Sequence, residues 1–233
     1  MIGVPCWSAL LIHGAGGGAW EWNRWHNVLQ AHAVAVQAVE LQPTAHDLTA
    51  TTLQDYAIQV QLALQALPRP RVLVGASLGG LLAAMCVSEA DAVVLVNPLP
   101  PAPWHLQLAE RSWDRVIPWR SNARLYSTRE AMRDADDASA LWAFRHWRDE
   151  SGQALSQAHA GVDVAKPDCP ALFVVSSDDE DVPREIILDW ARAWRADRLE
   201  TLASSHLGPL LGRQAQAIAV QAVAWLNRLG REG

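Results

Sequence analysis

A short apolar run, a Gly-x-Ser-x-Gly motif and a helix-forming run follow one another without interruption in this chain. The apolar run is 72–74, the motif is 75–79, and residues 81–85 favour a helix. A serine at the tip of such a tight turn needs glycine two residues before it and two after it, because side chains there would collide. The turn lifts the Ser77 hydroxyl clear of the sheet and directs the first N–H groups of the helix at whatever the serine attacks. The pattern predicts a strand, a sharp turn and a helix, with a nucleophilic serine between them.

Strands and helices alternate over most of the chain. Apolar runs predict strands at 8–12, 33–41, 72–76, 92–97, 171–176 and 198–202. Apolar residues at helical spacing predict helices at 22–31, 53–67, 78–88, 184–194 and 214–229. Strands that are apolar on both faces and separated by helices indicate an α/β fold, with a mostly parallel central sheet covered by helices on both faces. In such sheets ligands bind beyond the carboxyl ends of the strands, which is where Ser77 lies.

The alternation breaks between residues 99 and 165. This segment has no convincing strand, and its helical stretches are predicted at 104–113, 129–135, 138–148 and 153–160. We interpret it as a helical insertion that caps a binding pocket. The predicted domains are therefore a core made of residues 1–98 and 166–233, and a cap made of residues 99–165.

Two segments at the ends of later strands can activate the serine. A serine hydroxyl is a poor nucleophile at neutral pH, so it needs a base, usually histidine, and a carboxylate that orients this histidine. The strand predicted at 171–176 is followed by an acidic loop, and the last strand is followed by His206. His206 is therefore the candidate base, and the acid comes from a loop that contains Asp178, Asp179 and Asp181.

The glycine-rich run 13–18 follows the first strand. Glycine runs let the backbone approach a ligand closely and present N–H groups to it. We expect an oxyanion hole made by the backbone N–H groups of Leu78 and Ala15. A phosphate-binding loop is the alternative, but the run lacks the lysine of a P-loop and is not a Gly-x-Gly-x-x-Gly followed by a suitable acidic residue. His13 is expected to be a structural histidine that holds this loop.

These motifs resemble those of the α/β-hydrolase superfamily over nearly the whole chain. The chain order of a serine, an acid and a histidine is that of these enzymes, and the run His-Gly-Ala-Gly-Gly-Gly-Ala-Trp is most similar to the small methylesterase and hydroxynitrile lyase branch and related bacterial esterases. The resemblance implies Ser77 as nucleophile, His206 as base, and Ala15 and Leu78 as oxyanion donors. The family spacing to Pro183 selects Asp179 as the acid, with Asp178 and Asp181 as alternatives.

Composition excludes several other classes of protein. Half of the 233 residues are apolar and the formal net charge is −6, with no basic cluster, so we expect no nucleic-acid partner. The apolar runs are too short to cross a bilayer and no basic leader precedes the first strand, which predicts no membrane partner and a cytoplasmic location. The cysteines Cys6, Cys86 and Cys169 lack a Cys-x-x-Cys spacing and are expected to be idle thiols.

The sequence therefore predicts a serine hydrolase that cleaves a small, largely apolar carboxylic ester without a cofactor or metal. Trp20 and Trp104 are expected to line the substrate pocket, and Arg145 and Arg148 to be solvated charges of the cap. Thioesterase, amidase, lyase or carbon–carbon bond hydrolase chemistry on the same triad is the first alternative. A ligand-binding receptor or scaffold on a hydrolase fold is the second. The oligomeric state is left open between monomer and homodimer.

Overall fold

The structure, a computed structural model, describes residues 7–232. Its strands in chain order are β1 (Ser8–Ile12), β2 (Ala35–Val39), β3 (Arg71–Ala76), β4 (Ala92–Val96), β5 (Val116–Ile117), β6 (Glu150–Ser151), β7 (Ala171–Val175) and β8 (Asp197–Glu200). Six of them form one sheet in the order β2-β1-β3-β4-β7-β8, and every neighbouring pair in it is parallel. This confirms the predicted fold class.

Helices connect these strands. They are α1 (Asn23–Ala31), α2 (Leu53–Gln65), α3 (Leu78–Met85), α4 (Leu125–Ala131), α5 (Asp137–His146), α6 (Gly152–His159), α7 (Arg184–Trp194), α8 (Gly208–Leu211) and α9 (Ala215–Glu232). Local signals explain several of their ends. The side chain of Thr52 caps α2 in a reciprocal pair with Asp55, and Asp136 caps α5 through the backbone N–H of Ser139.

Each buried strand divides its side chains between two apolar layers, because successive residues of a strand point to opposite faces. On one face Leu10, Leu73 and Leu95 join the buried residues of α2, α3 and α7. On the other face Leu11 and Val74 join those of α1 and α9. The central sheet is therefore covered by helices on both faces.

The strand order reverses direction next to β1. From β1 the chain passes to β2 on one side, whereas β3 and β4 are added on the other side. The loops after β1 and β3 therefore meet at the carboxyl edge of the sheet, at the kind of switch point where open α/β sheets bind ligands.

The segment between β4 and β7 differs from its prediction in three respects. The helix predicted at 129–135 begins four residues earlier, as α4 (Leu125–Ala131). Residues 104–113 do not form a helix: only the 3₁₀ turn Trp104–Gln107 forms, and it ends at Leu108, whose backbone is extended. Two strands that sequence reasoning did not find, β5 and β6, pair antiparallel over two residues each. Strands this short carry no readable alternation of apolar residues.

Two further expectations concern cysteines and membranes. Cys86 and Cys169 are free thiols, and Cys6 lies outside the described residues. Among residues 7–232, no helix has both the length and the apolar character needed to cross a bilayer.

Candidate active site

The serine of the motif sits in a strained turn between β3 and α3. Its backbone has φ 53° and ψ −121°, a conformation that L-residues rarely adopt. The flanking glycines are required by close approach of the backbone. A Cβ on Gly75 would lie 2.1 Å from the carbonyl oxygen of Gly79, and a Cβ on Gly79 would lie 2.3 Å from that of Ile12. Any side chain at either position would force the strand and helix apart, so the motif fixes the position of Ser77.

An acid and a base from two other strand ends form a hydrogen-bonded pair. His206 Nδ1 lies 2.7 Å from Oδ2 of Asp179, whose other carboxylate oxygen accepts the backbone N–H groups of Asp181 and Val182. The Asp179 side chain is fully buried, whereas those of Asp178 and Asp181 are 75% and 55% exposed. A carboxylate only accepts, so Nδ1 carries a proton and Nε2 is left as the basic nitrogen.

The pKa of His206 reflects opposing effects. Burial of the ring lowers it, while the negative charge of Asp179 and the hydrogen bond to Asp179 raise it, with a smaller contribution from the charge of Asp181. The net pKa lies above the ordinary value of 6.5. The imidazolium form, which a histidine base reaches in the transition state, is therefore stabilised.

A cavity of about 490 Å³ opens at this edge of the sheet. Ser77, His206, Ala15 and Leu78 all line it. Within residues 7–232 the Ser77 hydroxyl has no hydrogen-bond partner. Catalytic hydrogen bonds are often loose in the absence of substrate, and the hydroxyl is accessible to a ligand that enters the cavity.

Two hydrogen bonds of His13 fix the glycine-rich loop. Its Nδ1 donates to the carbonyl oxygen of Gly14 at 2.7 Å, and its Nε2 accepts the backbone N–H of Leu41 at 3.1 Å. Burial lowers the pKa of His13 to about 4, so the ring is neutral at neutral pH. With both ring nitrogens engaged, His13 is a structural histidine.

Residues at the end of the predicted cap also form hydrogen bonds with the glycine-rich loop. Arg148 donates its backbone N–H to Gly16 at 2.8 Å and its Nε–H to the carbonyl oxygen of Gly17 at 2.7 Å. Glu150 accepts the N–H of Gly16 at 2.9 Å and the hydroxyl of Tyr56 at 2.6 Å. The expectation that Arg148 is a solvated charge is therefore wrong: its guanidinium binds the loop and forms an ion pair with Glu40.

A second buried network holds the backbone at His206. Asn97, at the end of β4, donates from Nδ2 to the hydroxyl of Ser176 and to the carbonyl oxygen of His206, each at 2.8 Å. Ser176 in turn donates to the carbonyl oxygen of Ser205 at 2.8 Å. Three strand ends are thereby connected around the base.

Residues of the predicted cap also hold the loop before His206. Asp134 accepts the backbone N–H groups of Ser204 at 2.8 Å and Ser205 at 3.2 Å. Its neighbour Arg133 forms ion pairs with Asp178 and Glu180 of the acidic loop. The two exposed acids near Asp179 thus have a role in joining loops.

The sequence profile of the alpha/beta hydrolase family matches residues 9–221, which is most of the chain. The chain belongs to the alpha/beta hydrolase family. Methylesterase 3 of Arabidopsis thaliana is 30% identical to it over 146 residues, 58% of this chain and 55% of that protein. This alpha/beta hydrolase thus spans about half the length of the curated relative that it matches.

Solved structures agree on the fold of this alpha/beta hydrolase. Tomato methylketone synthase I, complexed with 2-tridecanone, superposes with a TM-score of 0.75 at 16% identity, covering 95% of this chain and 98% of the other. Polyneuridine aldehyde esterase superposes with a TM-score of 0.72 at 16% identity, covering 94% and 100%. These structures share the fold of the chain, and the family match confirms the resemblance to alpha/beta hydrolases.

The two tryptophans predicted for the pocket lie elsewhere in this alpha/beta hydrolase. Trp20 packs edge-on against Trp147, with ring centroids 5.4 Å apart, and Trp104 stacks on Trp190 at 5.9 Å. Among the described residues the tryptophans that line the cavity are Trp113, Trp119 and Trp147. Sequence reasoning chose wrongly because the path of the chain between β4 and β7, and not local pattern, decides which rings face the cavity.

Three functional residues were missed from the sequence: Asn97, Glu150 and Glu21. Asn97 and Glu150 act across long stretches of chain, and no local pattern marks them. Glu21 carries a recognisable signal, since it is a carboxylate between two tryptophans directly after the glycine-rich loop. The structure buries it beside the site, where it accepts the N–H of Gly14 at 3.2 Å.

Three groups of the site lie close enough to share a cation. Ligand atoms of Asp179, Asp181 and His206 fall within 4.8 Å of one another. Hydrogen bonds already use most of them, because both oxygens of Asp179 are engaged and the Asp181 carboxylate pairs with Arg111. The set therefore fits an acid–base pair better than a metal centre.

Proposed function

We propose that the chain is a serine hydrolase that cleaves a small, largely apolar carboxylic ester through an acyl-enzyme. The proposal is carried by the hydrogen bond between Asp179 and His206, which lies in the same cavity as the strained turn of Ser77. The cavity is thus lined by an alcohol and by a base that is paired with a buried acid. This set of groups performs nucleophilic acyl transfer on several unrelated folds.

In the first half of the reaction the Ser77 hydroxyl attacks the ester carbonyl carbon. His206 Nε2 takes the hydroxyl proton, and Asp179 stabilises the imidazolium that results. The carbonyl oxygen becomes an oxyanion that accepts the backbone N–H groups of Ala15 and Leu78. His206 then gives its proton to the leaving alcohol, and the acyl group stays on Ser77.

In the second half a water molecule replaces the alcohol. His206 removes a proton from this water, and the resulting hydroxide attacks the acyl carbon to form a second oxyanion in the same site. Collapse of this intermediate breaks the bond to Ser77, which recovers its proton from His206. The product acid leaves and no co-reactant other than water is consumed.

The cavity supports the substrate class. Its volume of about 490 Å³ suits a small ester, and its wall includes Leu99, Leu155, Trp113 and Trp119. The polar side chains Arg111 and Arg124 also line it, and both are exposed. An apolar acyl or alkyl group therefore fits the interior, with any charged part of the substrate toward the arginines.

Other reactions on the same triad are second candidates, and no observation favours one of them. A lyase of the hydroxynitrile type generally needs a cation deep in its pocket, and Lys166 lines a separate cleft with Cys169 and Arg195. The receptor alternative predicts ligand binding without turnover.

A fluorophosphonate probe and a panel of p-nitrophenyl esters test the proposal. We expect labelling at Ser77 and turnover of short-chain esters. Ser77→Ala should lose labelling and at least about a thousandfold in kcat. Ser127→Ala, which alters another serine of the same cavity, is the matched control and should keep both. An unlabelled protein without turnover would favour the receptor alternative, and turnover by Ser77→Ala would refute the nucleophile.

A further inference from the structure

One carboxyl group of the cavity, that of Glu21, takes no part in the proposed acyl transfer. Glu21 lies in the 3₁₀ turn Ala19–Trp22 that follows the glycine-rich loop, and its residue surface is only 1% exposed. It nevertheless lines the cavity together with Ser77, His206 and Ala15. A carboxyl group this deeply buried needs either a cation or a proton to be stable there.

The hydrogen bonds of Glu21 leave one of its oxygens unused. Its Oε2 accepts the backbone N–H of Gly14 at 3.2 Å, and within residues 7–232 its Oε1 has no partner. The carboxyl lies directly against the loop, since a Cβ on Gly17 would be 2.1 Å from Oε1. Glu21 therefore supports the loop segment that contains Ala15, the expected oxyanion donor.

The charged groups that face Glu21 do not neutralise it. They are His206 from the loop after β8, Arg148 from the predicted cap and Glu40 from the loop after β2. Arg148 forms its ion pair with Glu40 and not with Glu21. Burial raises the pKa of Glu21 to about 8, so the group holds its proton at neutral pH.

We propose that Glu21 is a positioning residue, which supports the oxyanion loop as a neutral carboxylic acid and slows hydrolysis when it loses its proton. The proposal rests on the proposed function, because it concerns the rate of the same reaction. An ionised Glu21, next to Gly14, would be close to the site where the oxyanion develops. Its negative charge would repel the oxyanion and so destabilise the transition state.

The test is the pH dependence of kcat/KM, measured with an ester whose products do not titrate in the alkaline range. The unaltered protein should lose activity above about pH 8, with about a tenfold loss by pH 9 if the ionised form is inactive. Glu21→Gln keeps an acceptor for the Gly14 N–H and cannot ionise. It should stay within about twofold of its plateau to pH 9.

Two other variants separate this role from simple support of the loop. Glu150→Gln alters the second buried carboxylate that binds the loop, so it should lower kcat but keep the alkaline loss of activity. Glu21→Met, which is neutral but accepts no hydrogen bond, should lower kcat at every pH and lack the alkaline loss.

The outcomes are distinguishable. Identical alkaline losses in the unaltered protein and in Glu21→Gln would overturn the role of Glu21 and leave the proposed function standing. No ester hydrolysis by the unaltered protein would overturn the proposed function itself, and with it the role of Glu21. Failure of both Glu21→Gln and Glu21→Met to fold would contradict the assignment, since a neutral side chain would then be unable to replace a neutral acid.

Discussion

His206 and Asp179 are hydrogen bonded across 2.7 Å, although each lies in a loop after a different strand of the sheet. The bond fixes the ring so that one nitrogen faces the acid and the other is left for the cavity. Asp179→Asn should therefore lower kcat by about ten-thousandfold, because an amide both loses the negative charge and favours the wrong tautomer. Steady-state kinetics measure the effect. The exposed neighbour is the control: Asp178→Asn should change kcat by less than about threefold, and a larger loss there than at Asp179 would reassign the acid.

The acid side of the pH profile should report His206. This histidine must be neutral to act as a base, and its pKa is raised above 6.5. Activity should therefore fall as the pH decreases, with a midpoint above 6.5 in kcat/KM. Asp181→Asn removes one of the smaller charges that raise this pKa, so its midpoint should move to lower pH with kcat nearly unchanged. A midpoint well below 6.5 in the unaltered protein would contradict the charge distribution described here.

Stability should also depend on the protonation of Glu21. In the unfolded chain the group ionises near pH 4.5, whereas burial keeps it protonated in the folded state up to about pH 8. Between these values the folded state binds more protons than the unfolded state, so the free energy of unfolding contributed by Glu21 decreases as pH rises. Glu21→Gln should be more stable than the unaltered protein by about 2 kcal/mol at pH 8, and by much less near pH 5. Urea denaturation at several pH values measures this difference, and a constant difference across the range would count against a neutral Glu21.

Glu150 should matter for stability as well as for rate. It accepts hydrogen bonds from Gly16, Tyr56 and its own neighbour Ser151, and it is buried. Glu150→Ala leaves these donors unsatisfied in the interior, so the free energy of unfolding should fall by about 2–4 kcal/mol. Glu130→Ala, on an exposed position of α4, should change it by less than about 0.5 kcal/mol. Equal effects of the two variants would argue against the loop contacts.

The pocket wall can be tested by exchanging tryptophans. Trp113→Leu alters a ring that lines the cavity, so KM for aryl esters should change by about threefold or more. Trp104→Leu alters a ring stacked on Trp190, and it should lower thermal stability with little effect on KM. If Trp104→Leu changed KM and Trp113→Leu did not, Trp104 would line the substrate pocket, as the sequence predicts.

Features of the fold that depend on local signals were predictable. The helix expected at 184–194 is α7 (Arg184–Trp194), and the first strand has the expected bounds, because apolar spacing within ten or so residues determines both. The turn of Ser77 was predictable for the same reason, since its two glycines follow from close backbone approach alone.

The supports of the site were not predictable, because they join distant parts of the chain. Gly16 and Glu150 are separated by 134 residues, and Asn97 and His206 by 109. Neither pair has a sequence spacing that favours contact. The choice among Asp178, Asp179 and Asp181 needed family spacing, since three acids in one loop differ only in where the chain turns. The pocket tryptophans depended on a proline-rich segment whose path has no regular pattern.

The contacts of Asp134 join the segment between β4 and β7 to the loop that contains His206. Its carboxylate accepts the backbone N–H groups of Ser204 and Ser205, directly before that histidine. A displacement of Asp134 breaks these two hydrogen bonds and leaves His206 positioned by Asp179 and Asn97 alone. A change outside the cavity can therefore reach the imidazole through the backbone that precedes it.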